Sequence, residues 1–152
     1  MAEAETALET FIVFTVAGTA YGLRSHEVQH VEMLEKVTRV PNSASFVDGV
    51  VFSRGQVVPA VNLRARFGFD RAPYDLRTRL IVVRGSGRSV GLVVDDGREF
   101  LRLSTSAIQA PQEALAGLSS PYVEGIASVN NRLILVLKLD QLLNFAEPLI
   151  TA

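Results

Sequence analysis

Short apolar runs broken by turn residues recur along the chain, and most of them read as strands. Phe11-Ile12-Val13-Phe14-Thr15-Val16 is rich in β-formers and closes on Ala17-Gly18-Thr19, after which Ala20-Tyr21-Gly22-Leu23 returns. Val31, Met33 and Val37 share one parity among Glu32, Lys36 and Thr38, which predicts a further strand. Three hairpins follow from turn chemistry: 47–53 with 56–63 around Arg54-Gly55, 80–84 with 89–95 around Gly85-Ser86-Gly87, and 123–129 with 132–139 around Asn130-Asn131. Helices are expected only as short pieces at Ser45-Phe46, 63–67, 111–116 and 140–145. Twenty valines beside eleven glycines support strands and turns over helices.

The hairpins repeat. Residues 11–23 align without a gap on 80–92, an offset of 69, matching Ile12 to Ile81, Gly18 to Gly87, Gly22 to Gly91 and Leu23 to Leu92. Residues 47–63 align on 123–139, an offset of 76, placing Gly49 on Gly125 and Leu63 on Leu139. Two patterns recurring in the same order point to duplication of a unit of about 70 residues. A unit with about five short strands has the size of a small closed barrel, which hides its strand edges. The expected division is an acidic tail over 1–10, one domain over 11–145 and a tail over 146–152. Within the domain two subdomains fall at roughly 11–75 and 76–145, with exchange of strands between them left open.

Composition narrows function by exclusion. With 152 residues, 48% hydrophobic and 20% charged, the chain is globular and long enough for a core. There is no cysteine, so disulfides, thiolate metal sites and cysteine nucleophiles are ruled out. A net charge of −1 rules out a globally basic nucleic-acid binder. Residues 1–10 carry Glu3, Glu5 and Glu9 without a basic residue or apolar run, and the longest strongly apolar stretch, 133–137, is far short of a membrane span. A cytoplasmic protein without direct membrane insertion is expected.

Few motifs carry chemistry. His26-Glu27-Val28-Gln29-His30 spells H-E-x-x-H, which on a helix would set two histidines over one zinc with the glutamate as general base. Gly22 just before it and the alternation beginning at Val31 deny it that helix, and no third histidine exists. Gly85-Ser86-Gly87-Arg88-Ser89-Val90-Gly91 lies between strands, whereas a phosphate loop opens a helix. Asp95-Asp96-Gly97 reads as turn or bulge chemistry, and no serine has a histidine–aspartate pair on an elbow. Arginine is favoured thirteen to two over lysine, and from Arg54 to Arg88 eight arginines face only Asp70 and Asp75. That stretch suits an acidic partner, or, from Arg64 to Arg88, single-stranded nucleic acid on a barrel.

The ordered run Val40-Pro41-Asn42, Gly49-Val50-Val51, Arg54-Gly55, Val58-Pro59 and Leu63-Arg64 resembles the CheW family of chemotaxis coupling proteins. The resemblance extends from Phe11 to Leu143 and includes Phe11-Ile12-Val13-Phe14 with Tyr21-Gly22-Leu23, Gly91-Leu92-Val93-Val94-Asp95, Gly125-Ile126, and Leu133-Ile134-Leu135-Val136 with Leu139-Asp140-Gln141-Leu142-Leu143. It implies an all-β fold with a few short helices: two five-stranded Src-homology-3-like β-barrels sharing a core. It implies no enzymatic activity and no cofactor. Its implied partners are the cytoplasmic tip of a chemoreceptor, the regulatory domain of a CheA-type histidine kinase, and other CheW-like proteins, with no nucleic acid among them. It places the protein at membrane-associated or soluble receptor clusters. Receptor contact is implied along the groove between the barrels, where Val28, Gly49 and Arg54 match: a valine and a close-packing glycine for a helical hairpin's apolar face, an arginine to fix register.

Three departures mark the chain. The family's G-V-I-N-L-R-G reads Gly49-Val50-Val51-Phe52-Ser53-Arg54-Gly55, its D-x-V reads Asp95-Asp96-Gly97, and its I-D-L-R reads Val61-Asn62-Leu63-Arg64. Gly97 is expected to loosen the backbone. Together these suggest a divergent, auxiliary adaptor that keeps receptor binding while its kinase contact is weakened or lost.

Overall fold

The computed structural model describes residues 7–85, 87–110, 121–145 and 148–150. Eleven strands are found among them: β1 (Leu8–Val16), β2 (Thr19–Arg24), β3 (Val28–Met33), β4 (Val47–Ser53), β5 (Gln56–Asn62), β6 (Arg79–Gly85), β7 (Arg88–Val94), β8 (Asp96–Ser104), β9 (Ile108–Gln109), β10 (Val123–Val129) and β11 (Arg132–Leu137). Two one-turn helices, α1 (Leu63–Arg66) and α2 (Leu139–Leu142), follow β5 and β11, and 3-10 turns at Ser25–Glu27 and Thr105–Ala107 follow β2 and β8. The expected hairpins all form, three of them on two-residue turns with both residues at positive φ: Ala17-Gly18, Arg54-Gly55 and Asn130-Asn131. That geometry matches the right-handed twist of the strands it joins. Ser45-Phe46 is a turn rather than helix, the last helix starts at Leu139 rather than 140, and the 111–116 helix lies outside the described residues.

One sheet runs β8-β1-β2-β11-β10-β9 and the other β3-β6-β7-β5-β4. Each curls into a barrel closed by one bent strand. β8 pairs with β1, turns through Thr105–Ala107, and continues as β9 against β10. In the second barrel β3 pairs with β6, and the chain beyond it reaches Thr38, whose N–H and C=O bond Val50 of β4 at 2.9 and 2.8 Å. Counting the bent strand once gives five strands per barrel, as expected.

The barrels are not the sequence halves. The first barrel joins β1 and β2 to β8–β11, and the second joins β3–β5 to β6 and β7. The junctions are parallel: β11 on β2 pairs Val136 with Gly22, and β5 on β7 pairs Ala60 with Gly91. These are corresponding positions under the 69- and 76-residue offsets. The register shifts between Val47 and Gly49 and between Val123 and Gly125 correspond as well.

The largest apolar cluster lies between the barrels and draws on both, with Phe14, Leu23, Leu63, Ile81, Leu92 and Leu137 at its centre. Neither end behaves as a tail where the structure describes it. Leu8, Glu9 and Thr10 already pair with β8, and Glu9 meets Arg24 at 3.2 Å. Leu149 is buried, and its carbonyl accepts from the Ala44 N–H at 2.8 Å. Acidic or polar composition hides such pairing, because the partners are distant in sequence.

Candidate functional site

Among the described residues, the H-E-x-x-H string is not helical: His26 and Glu27 form the 3-10 turn and His30 lies in β3. No group of three metal-ligating side chains is found among the described residues. Burial pushes the Glu27 carboxyl above its ordinary pKa. The arginine-rich middle is largely spent inside the molecule. Arg64 binds Asp95 at 2.7 Å, Arg71 binds Asp48 at 2.8 Å, and buried Arg79 donates to the Leu76 and Thr78 carbonyls at 2.7 and 3.0 Å. Arg66 lies 4.9–5.0 Å from the ring centres of Phe46, Tyr122 and Phe145 while donating to the Leu142 and Asn144 carbonyls at 3.0 Å. Guanidinium forks used this way tie loops to barrels, while Arg54, Arg84 and Arg88 remain exposed.

A cavity of about 500 Å³ opens between the barrels, walled by β3 on one side and by Ile12, Gly97 and Phe100 of β1 and β8 on the other. Val28 lines it. A register shift between Val28 and His30 resets the alternation of β3. Val28 and Val31 therefore both pack on the inter-barrel core, while His30 and Glu32 turn towards Ser53 at the end of β4. The lips are apolar and exposed, Met33 at 52% and Phe100 at 62%. A larger cleft of about 630 Å³ surrounds Asp48, but its polar groups satisfy one another. There Asn62 and Arg71 each donate to Asp48 at 2.8 Å, and the Tyr74 hydroxyl does likewise. The groove is the better docking surface, because its apolar side chains have no cover.

The other expected site residues fall differently. Arg54 stands exposed at the tip of the β4–β5 hairpin, with φ of +48°, and makes no ion pair among the described residues. It does not line the cavity, but its neighbour Ser53 bonds two residues that do. Gly49 is buried at a φ of +150°, and an added Cβ would sit 2.1 Å from the Thr38 carbonyl oxygen. It presents no surface; what packs on it is the chain's own closing segment. Met33, Phe100 and the polar seam at Ser53 were not singled out by the sequence. Exposure of a large apolar side chain depends on which strand lies beside it, and Phe100 owes its place to pairing with Ile12.

The departures are also placed. Phe52 is 73% exposed and sits across from Val57, itself exposed, on the outer face of the hairpin. Ser53 is buried. Gly97 does not loosen the chain: it is buried within β8, and a Cβ there would lie 2.7 Å from that of Phe14. Close strand packing has replaced a side chain. A bulge is present beside it, in the pairing of Val13 and Thr15 with β8.

Against known proteins, the CheW-like domain family matches residues 10–147. The chain belongs to the CheW family. The chemotaxis protein CheW of Klebsiella aerogenes is 32% identical over 143 residues, covering 94% of this chain and 86% of that protein. CheW of Bacillus subtilis is 29% identical over 136 residues, covering 90% and 87%. The crystal structure of the scaffolding protein TtCheW from Thermoanaerobacter tengcongensis superposes with a TM-score of 0.83 at 27% identity, over 95% of this chain and 98% of that one. CheW-family membership makes the chain a non-catalytic adaptor of chemotaxis signalling, of the kind that couples receptors to CheA. The zinc-hydrolase and nucleic-acid readings are set aside. Among the described residues no helix is long and apolar enough to cross a membrane.

Proposed function

We propose that the groove between the barrels, with the Arg54 hairpin beside it, receives the helical cytoplasmic tip of a chemoreceptor, and that a second face meets the regulatory domain of a CheA-type kinase at receptor clusters. The observation carrying this is the uncovered apolar groove lined by Val28, Val31, Met33 and Phe100. A helix laid there buries its apolar face, and the exposed guanidinium on the neighbouring hairpin selects a carboxylate or carbonyl on it. Gly49 contributes by letting the Thr38 segment close the barrel behind the hairpin. Of the three departures bearing on the kinase contact, only Phe52 reaches solvent as a side chain, so the weakened contact is carried by Phe52.

Calorimetric titration with a purified receptor-tip fragment tests the reading. Arg54→Ala is expected to weaken binding about tenfold, typical of truncating a charged contact, with unchanged melting. Val28→Asp is expected to weaken it at least as far, because a carboxylate is desolvated against a helix. Unchanged affinity in both would remove the groove from the interface, and insolubility of Val28→Asp would assign Val28 to the core. Titration with a kinase regulatory domain should give weaker binding than an ordinary family member gives, recovered by Phe52→Asn; equal affinity would discard the weakened contact.

A further inference from the structure

β3 and β4 are the two edges of the second barrel's sheet, and no ladder joins them; only the Thr38–Val50 bridge closes the main chain. At the end nearer the Arg54 turn, closure falls to side chains. His30 Nε2 lies 2.9 Å from Ser53 Oγ and 2.8 Å from Glu32 Oε2, and the Ser53 hydroxyl donates to that same carboxylate oxygen at 2.9 Å. The single hydroxyl proton is thus used, and the carboxylate only accepts, so Nε2 must carry a hydrogen. Both partners share one ring nitrogen and Ser53 is 2% exposed, so this is no nucleophile triad. The other foot of the hairpin is tied as well: Gln56 donates to Ser89 Oγ at 3.4 Å, and Ser89 donates to Gln29 of β3 at 2.8 Å. Ser53 and Gln56 are the two residues flanking Arg54-Gly55. Both are therefore linked by side chains to the strand that walls the groove.

Resting on the groove as the receptor site, we propose that His30, Glu32 and Ser53 form a latch that holds the Arg54 turn in register with the β3 wall, making them positioning residues for the bound helix. Ser53 is buried and acts through Arg54; His30 and Glu32 also line the groove, and the Arg54→Ala background separates their positioning role from direct contact. A two-residue turn with both residues at positive φ is stiff, so the direction of Arg54 is set by where the Ser53 foot is held. Without the latch the edges of β3 and β4 separate at this end, and the guanidinium loses its fixed distance from the groove.

Binding of the receptor-tip fragment by full-length variants, with amide hydrogen exchange of residues 53–56, tests the latch. His30→Leu removes the donor and is expected to weaken binding about fivefold and speed exchange in the turn, whereas His30→Gln, which returns an N–H near Nε2, stays within about twofold of the parent. In an Arg54→Ala background His30→Leu should add less than about twofold, since residues acting through one contact are not additive. Ser53→Ala, a smaller change in a buried position, gives the same reading if His30→Leu does not fold. Native affinity in folded His30→Leu and Ser53→Ala, or full additivity with Arg54→Ala, overturns the latch while leaving the groove intact. No loss in Arg54→Ala itself overturns the latch, while the groove stands or falls on Val28→Asp.

Discussion

Gly49 and Gly125 stand at matching places in the two barrels, and each makes room for a crossing segment. A Cβ on Gly49 would meet the Thr38 carbonyl oxygen at 2.1 Å; one on Gly125 would meet a methyl of Ile108 at 2.5 Å and the Gln109 carbonyl oxygen at 2.7 Å. Gly49 alone of the two has the positive φ that an L side chain resists. Gly49→Ala is therefore expected to cost about 3 kcal/mol or more in urea unfolding, and Gly125→Ala less, because only at Gly49 does backbone strain add to the overlap. Equal costs would show that the positive φ at Gly49 adds nothing to the overlap. The alignment of these glycines was visible in the sequence, but their reason was not. Thr38 and Gln109 come next to them through barrel closure, which no local spacing encodes.

At the scale of elements, Asp95 joins three pieces. Its carboxylate accepts the Ala17 N–H of the β1–β2 turn at 2.9 Å, and Arg64 of α1 through Nε and Nη2 at 2.9 and 2.7 Å. Burial would raise its pKa, but hydrogen bonds from Arg64 and Ala17, with the guanidinium charge, outweigh that and hold it below the ordinary carboxylate range. A depressed folded pKa contributes stability above the unfolded value, near 3.9, that is lost as pH falls through the folded one. Stability measured by denaturant between about pH 4 and 2 should fall steeply in the parent and less steeply in Asp95→Asn, which is already weaker at neutral pH. Matching slopes would take Asp95 out of the acid transition. The hairpins were legible because their turns have distinctive chemistry, and α1 because Asn62 closes a strand and caps it, accepting from Ala65 N–H at 3.2 Å. β8 was not, since it carries Arg98, Glu99 and Arg102 among its apolar residues and is bulged against β1.

For the whole molecule, the repeat in the sequence and the barrels in space divide the chain differently. Each barrel borrows a hairpin from the other half, so a fragment ending in the loop before β6 has no complete barrel. Fragments 1–75 and 76–152 should each lack cooperative melting by circular dichroism, and should regain it when mixed or co-expressed. Cooperative melting of either alone would mean that the halves can build barrels without exchange. Pairings such as Gly22 with Val136 also make contacts long-range, which predicts refolding in milliseconds to seconds, not microseconds. Family resemblance, not periodicity, is what made this architecture readable. Alternation indicates strands, but the choice of neighbour is made by burial of the shared core.

The two parallel junctions have a mechanical meaning. A body hinged between its sequence halves would bend at a linker, but here pulling those halves apart would tear a backbone ladder inside each barrel, β2–β11 in the first and β5–β7 in the second. The barrels themselves meet through the packed layer of Phe14, Leu92 and Leu137. Between the barrels the coupling is made by packed side chains, so a load applied at the groove passes from one barrel to the other as displacement of a close-packed layer.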